Sequence, residues 1–323
     1  MARCDASFWV GASALMRRSA LEDIRATRIE RGHEVAVYID DRILIEDAAA
    51  TVDLLRKRWR IHHDGGRLAY SATPSDFGAL LIQRRRWANG GLLLVPRLLG
   101  QALRTPWSAR RLGDVLLRLP NLLSATLAGI GVPLLLLVRF DDTIIPLWLP
   151  LLALPYYAVY GGDVVCAGHR WQDVLRIYAL NAILIPVNLA GTFQSLRQIR
   201  RGAPIPFQRT PKVAGRTATP APYLVAIYGF CIYALLGAAV DGSSGEMLRM
   251  SFGILNGVAA IYGLVAFVGL RESWHDLRTG LVRGRARLAR RQRSKSPAPP
   301  LAAPSSTSTL PLGPHYSAAR MEA

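Results

Sequence analysis

The sequence predicts two parts, a soluble α/β region followed by an α-helical membrane region with about four transmembrane helices and interfacial helices. Its 323 residues suffice for two ordinary domains. They are 51% hydrophobic and yet carry a formal net charge of +18. Long apolar runs combined with basic segments are typical of membrane proteins with basic cytoplasmic loops. We therefore expect a lipid membrane as partner and no nucleic acid.

Residues 1–90 carry the α/β pattern. Glu46 and Asp47 begin one helical stretch, where their negative charges interact favourably with the helix dipole. A strand–helix–strand order favours a sheet with helices packed on it. The predicted elements are a helix at 19–24, a strand at 35–39, a helix at 48–59 and a strand at 67–71.

The region after residue 90 carries the membrane pattern. Leucines alternate with arginines over 91–118, which predicts an amphipathic helix at the membrane surface with its arginines snorkelling. Four later runs are long enough to cross about 30 Å of hydrocarbon. They form two pairs, 119–138 with 144–165 (domain 119–165) and 223–240 with 250–270 (domain 223–270).

Residues 174–194 form a fifth apolar run that also contains charged and polar side chains. The loop 195–222 and the segment 271–323 are both strongly basic and are expected on the cytoplasmic side. Both segments can lie on that side, together with residues 1–118, if the chain crosses the membrane an even number of times between residue 118 and the loop. We therefore predict 174–194 to be interfacial or re-entrant; the alternative is a fifth span and an external C-terminus. The composition of residues 271–323 predicts a basic juxtamembrane stretch followed by a disordered tail.

One face of a predicted helix gathers side chains suited to a sugar diphosphate. After a helix start at Ser75 or Asp76, the residues Gln83, Arg86 and Trp87 fall at spacings i, i+3 and i+4. A guanidinium fork matches phosphate oxygens, and an indole face can cover a pyranose ring. Alone, these residues also fit a basic stretch beside a membrane with one interfacial Trp, and Glu46 with Asp47 fits an ordinary acidic helix start.

The motifs taken in order resemble the membrane-embedded family 2 glycosyltransferases, the group of bacterial cellulose synthase and of hyaluronan and chitin synthases. The resemblance covers roughly residues 6–270. It rests on an apolar Gly-containing stretch, Ile-Glu-Asp, Gln-x-x-Arg-Trp, the spans, and a Phe-x-x-Thr-Pro-Lys stretch. The residues concerned are Phe8, Gly11, Glu46, Asp47, Gln83, Arg86, Trp87, Phe207, Thr210, Pro211 and Lys212.

The resemblance implies a role for each motif. Asp47 would be the catalytic base, and Ile45 stands where the family has Thr. Gln83, Arg86 and Trp87 would lie at the acceptor end, beside the nucleotide diphosphate. The loop carrying Phe207, Thr210, Pro211 and Lys212 would close over the donor. Phe8 and Gly11 would lie near the acceptor. The residues beside them differ from those of the family, which leaves the acceptor preference open.

The family's nucleotide-binding Asp and metal-binding Asp-x-Asp have no counterpart in this sequence. Residues 1–90 are therefore expected to be the C-terminal half of a GT-A-like domain. The complete enzyme would use Mg²⁺ or Mn²⁺ held by residues outside this chain, and no metal ligand is predicted within it. A separate N-terminal half or accessory subunit is one expected partner.

The implied function is a processive, inverting transfer of a sugar, with glucose expected, from a UDP-sugar donor to a growing glycan acceptor. The alternative is a non-catalytic multi-pass membrane fragment or subunit of a split synthase. In either case the chain is expected in the cell membrane, with its globular part and C-terminal tail in the cytoplasm.

Overall fold

The computed structural model is mostly helical, with one small sheet. It describes residues 8–9, 11, 14–40, 43–62, 70–104, 108–137, 158, 160–202 and 215–295, with the backbone alone for 109–111 and 283–295. Its elements are α1 (Arg18–Ile24), β1 (Ala26–Glu30), β2 (His33–Val37), α2 (Glu46–Arg56), α3 (Phe77–Arg104), α4 (Ala109–Leu137), α5 (Asp173–Arg201), α6 (Ala221–Ser243), α7 (Met247–Gly263), a π-helix (Leu264–Val268) and α8 (Leu270–Lys295).

The small sheet is an antiparallel hairpin, in which β1 pairs with β2. Arg31 and Gly32 form its two-residue turn, and both have positive φ angles, 50° and 84°. Positive φ at both positions gives the turn a twist that matches the strands. The sequence predicted β2 two residues late and missed β1. Tyr70 and Ser71 are not in a strand, and the rest of the predicted strand 67–71 lies outside the described residues.

Helix α3 begins where the sequence predicted it. Asp76 is the N-cap, because its Oδ1 accepts a hydrogen bond of 2.8 Å from the backbone N–H of Ala79. The helix then continues without a break to Arg104. The amphipathic segment 91–118 is therefore not a separate helix, since its first part is the second half of α3 and its last part begins α4.

Helices α3, α4 and α5 pack closely through small residues. A Cβ on Gly91 of α3 would lie 2.5 Å from the carbonyl oxygen of Leu122 on α4. A Cβ on Gly191 of α5 would lie 2.6 Å from the Cβ of Ala88 on α3. Directly after Ala88 on α3 and one turn after Gly191 on α5, Asn89 Nδ2 donates to Ser195 Oγ at 3.2 Å. These contacts place α5 alongside α3.

Helices α6 and α7 form a second antiparallel pair. Their backbones approach at Gly253, where a Cβ would lie 2.9 Å from the Cβ of Ala238. The start of α3 joins this pair through a buried apolar cluster that includes Phe77, Leu81 and Ile227. Helix α3, which carries the motif, therefore shares one core with the apolar helices. This core lies within residues 1–280, the first of two compact units. The second unit, 281–323, contains the last part of α8.

Among the described residues, four helices are long and apolar enough to cross a membrane, judged by length and composition: Leu112–Leu136, Asp173–Arg201, Ala221–Ser243 and Met247–Val268. Three of them contain the predicted spans 119–138, 223–240 and 250–270, up to their last one or two residues. The predicted span 144–165 lies mostly outside the described residues. The fourth helix is α5, an uninterrupted helix over the segment 174–194, whose interfacial placement stays a prediction.

Candidate active site

Helix α2 packs on α3 through a contact between Ile45 and Gly90. Ile45 is buried immediately before the Glu46–Asp47 pair, and a Cβ on Gly90 would lie 2.6 Å from its Cγ1. An apolar cluster containing Ile45, Val52 and Leu94 continues the same interface. The start of α2, with its two carboxylates, therefore lies against the middle of α3, just after the Gln-x-x-Arg-Trp motif.

Backbone N–H groups orient the Asp47 carboxylate. Its Oδ1 accepts a hydrogen bond of 2.8 Å from Ala48 N–H, in the first turn of its own helix. Its Oδ2 accepts one of 3.3 Å from Gly11 N–H, which comes from 36 residues earlier in the chain. The predicted residues Gly11 and Asp47 are thus in direct contact.

Thr51 connects the same two segments from beneath. Its Oγ1 donates to the carbonyl oxygen of Asp47 and accepts from the backbone N–H of Trp9, both at 2.9 Å. The Thr51 side chain is fully buried. Because a buried hydroxyl that meets both partners fixes their separation, the Phe8–Gly11 stretch is held against the first turn of α2.

The motif residues of α3 surround the contact with α2. At about 100° per helical residue, Arg86, Gly90, Gln83 and Trp87 follow one another round the helix in steps of about 40°, 20° and 40°. Gly90 carries the contact with Ile45. Ile45 therefore meets α3 on the stripe that runs between Arg86 and Trp87, about one turn further along the helix.

Trp87 presents its indole to solvent beside a second arginine. It is 43% exposed, whereas Gln83 and Arg86 are half-buried. The guanidinium carbon of Arg84 lies 4.9 Å from the centre of the Trp87 ring, within cation–π distance. Burial lowers the pKa of the Arg84 guanidinium, and the nearby Tyr160 partly opposes that shift.

Residues 1–160, which contain this site, match the family described as Glycosyl transferase family group 2. This region is a family 2 glycosyltransferase domain. Neither a curated protein nor a solved structure matches the chain. The predicted family is therefore confirmed for residues 1–160, while the narrower likeness to cellulose synthase remains an expectation.

The remaining residues of the predicted glycosyltransferase motifs differ in where they lie: some border the site, some support it, and some are outside the described residues. Glu46 is half-buried in the first turn of α2 beside Asp47. Phe8 packs against the apolar cluster under α2. That position makes Phe8 part of the packing that supports the site. The loop residues Phe207, Thr210, Pro211 and Lys212 lie outside the described residues.

The segment that follows this loop is anchored at two carboxylates. The backbone N–H of Thr217 donates to Asp76 Oδ2 at 2.9 Å, at the start of α3. Arg216 binds Asp276 of α8 with both guanidinium nitrogens, at 2.9 and 2.7 Å, and Thr219 N–H donates to the same carboxylate. Asp276 is only 3% exposed, so these donors satisfy a buried charge.

Within the part of the chain that the structure describes, no group of three or more His, Cys, Asp or Glu side chains is placed to hold a metal ion. The expected Mg²⁺ or Mn²⁺ therefore has no fitting ligand set among these residues.

Two residues of the site were missed by sequence reasoning. Thr51 lies one helical turn after Asp47, a position from which its hydroxyl can reach the Asp47 carbonyl. Arg84 lies three residues before Trp87, so both side chains are on neighbouring parts of the helix surface. The i, i+4 and i, i+3 spacings were visible signals, but the contact of Thr51 with Trp9 was not.

Proposed function

We propose that this protein is a processive, inverting glycosyltransferase that transfers glucose from UDP-glucose to a growing polysaccharide. The observation that carries the proposal is the contact of Ile45 with Gly90. It supports the proposal because Ile45 directly precedes Glu46 and Asp47, and Gly90 lies about one helical turn after Arg86 and Trp87. In the proposed site, a base, a diphosphate-binding cation and a sugar-binding ring therefore act on one surface.

In the proposed reaction Asp47 accepts the proton of the acceptor hydroxyl as that oxygen attacks the anomeric carbon of the donor sugar. A positioned general base typically gives about 10²–10⁴-fold acceleration. Arg86 offsets the negative charge that develops on the departing diphosphate, since a fixed cation there is stronger in a site shielded from water. Trp87 covers the terminal sugar of the acceptor with its apolar ring face.

The same arrangement supports a surface location for α5. Gly191 of α5 packs on Ala88 of α3, next to Arg86 and Trp87, which must meet a water-soluble nucleotide. We propose that α5 lies at the cytoplasmic membrane surface and that the basic segment after it stays on that side.

Cysteine labelling in sealed vesicles tests the location of α5. Leu175 and Ile199 are exposed near its two ends. In a variant without Cys4, Cys166 and Cys231, we expect Leu175→Cys and Ile199→Cys to react with an impermeant maleimide from the same side. Reaction from opposite sides would establish α5 as a membrane-crossing helix.

Asp47→Asn tests the catalytic assignment. We expect sugar transfer from UDP-glucose, in nanodiscs with Mg²⁺, to fall by about 10²–10⁴-fold, because an amide cannot accept the proton. UDP affinity should stay within about twofold, since Asp47 contacts the acceptor. Asp53→Asn is the matched control, because Asp53 is a half-buried carboxylate on the same helix, six residues further on.

The outcomes separate the proposal from its alternative. Retained transfer in Asp47→Asn would contradict the role of Asp47. Absence of UDP-glucose binding and transfer in the unmodified protein would favour a non-catalytic membrane subunit of a split synthase, and addition of a partner polypeptide that supplies the donor site should then restore both.

A further inference from the structure

Arg84 is a half-buried cation that the proposed chemistry does not use. Its Nε is shielded from solvent and meets no hydrogen-bond partner among the described residues. Burial also lowers the pKa of its guanidinium, which nevertheless remains charged at neutral pH. A desolvated charge needs compensation, and the electron-rich face of the Trp87 ring, at 4.9 Å, supplies part of it, beside the contribution of Tyr160.

The position of Arg84 on α3 identifies the part of the site that it serves. With about 100° per residue, Arg84 lies about 60° beyond Trp87 and about 160° from Arg86. Arg84 is therefore on the acceptor flank of the motif, away from the side proposed to bind the diphosphate. The two arginines, although only two residues apart, therefore lie on different sides of the helix.

The contact fixes a ring that is otherwise free to turn. Trp87 is 43% exposed, so solvent alone would allow its indole several rotamers. A guanidinium over one face restricts those rotamers and leaves the opposite face for a sugar. Such a ring is preorganised for stacking before the acceptor arrives.

We propose that Arg84 is a positioning residue that holds the Trp87 indole in the orientation that binds the terminal sugar of the glycan acceptor. This inference rests on the proposed function and adds a determinant of acceptor affinity to it. Arg84 acts through Trp87 and makes no contact with the donor.

Steady-state kinetics of Arg84→Met, in nanodiscs with UDP-glucose and a β-glucan oligosaccharide, test the inference. We expect the acceptor KM to rise about 3- to 30-fold, the range that corresponds to loss of a cation–π contact. The KM for UDP-glucose should stay unchanged. Arg84→Lys should recover most of the acceptor affinity, because an ammonium can still lie over the ring. Arg104→Met, at the exposed end of the same helix, is the matched control and should change nothing.

A fluorescence measurement follows the position of Trp87 directly. The emission of Trp87 is obtained as the difference between each protein and its Trp87→Phe derivative. We expect acrylamide to quench that emission more strongly in Arg84→Met than in the unmodified protein or in Arg84→Lys, because the ring loses its cover.

Each outcome decides between distinct conclusions. An unchanged acceptor KM in Arg84→Met, with transfer intact, overturns the inference and leaves the proposed function standing. A raised KM for UDP-glucose also overturns it, because Arg84 would then bind the diphosphate. An unmodified protein without transfer overturns the proposed function and the acceptor role together, while the quenching difference still decides whether Arg84 holds Trp87.

Discussion

Two segments pack against α3, and they are held by opposite kinds of contact. In the middle of the helix, Ile45 presses its side chain against Gly90, inside an apolar cluster. At the N-terminal end, Thr217 donates to the Asp76 carboxylate, and the neighbouring Arg216 is paired with the buried Asp276. The first contact places the proposed base, and the second anchors the end of the predicted donor loop.

The difference shows how position is specified in each place. A close-packed apolar contact fixes the distance between two helices, because even one added methyl group has no room. Charged hydrogen bonds instead fix direction, and they are costly to break because a buried carboxylate is left without its partner. We therefore expect the Gly90 contact to control catalysis and the Asp276 contact to control stability.

Gly90→Ala should have the largest effect on transfer. Its Cβ would lie 2.6 Å from Ile45 Cγ1, so the buried Ile45 side chain must shift, and we expect α2 to move with it. A displacement of about 1 Å at a reacting group can cost about 100-fold, and we expect a loss of that order in kcat/KM. The overpacking should also lower the free energy of unfolding by about 1–3 kcal/mol.

Gly100→Ala is the matched control for this prediction. Gly100 lies on the same helix, and a Cβ there would have no neighbour within 4 Å. Ile45→Ala combined with Gly90→Ala should restore part of the activity, since it removes the clashing atoms. Equal activity of Gly90→Ala and Gly100→Ala would show that the α2–α3 distance does not limit the reaction.

Arg216→Met should have a smaller effect, mainly on stability. It removes both hydrogen bonds from the Arg216 guanidinium to the buried Asp276 carboxylate. We expect the free energy of unfolding to fall by about 2 kcal/mol, below the usual cost for a buried pair because Arg216 is partly exposed. Denaturant titration in mixed micelles measures the change.

Arg18→Met is the control for the ionic contact. Arg18 is almost fully exposed and lies 3.9 Å from Glu22, so its loss should change stability by less than about 0.5 kcal/mol. An equal loss of stability in Arg18→Met and Arg216→Met would show that the contact of Arg216 with Asp276 does not stabilise the fold more than an exposed ion pair. The expected difference between the Gly90 contact and the Asp276 contact would then be wrong.

Much of the secondary structure could be predicted from local sequence patterns. The helix starts at Asp76 and Glu46 were visible from side chains that cap or complement the first turn. Three apolar runs gave helices of spanning length. The hairpin was missed, because β1 is short and polar and its exposed strands bury little apolar surface.

The sequence alone determined the family motifs, their order, and the common face of Gln83, Arg86 and Trp87, because helical periodicity and residue chemistry are local properties. Only the tertiary structure decided that Ile45 docks on Gly90, that Gly11 meets Asp47, and that α3 shares a core with the apolar helices. The physical reason is that such contacts join residues tens to more than a hundred positions apart. Their partners are chosen by shape and by the burial of neighbouring surfaces, which no local pattern records.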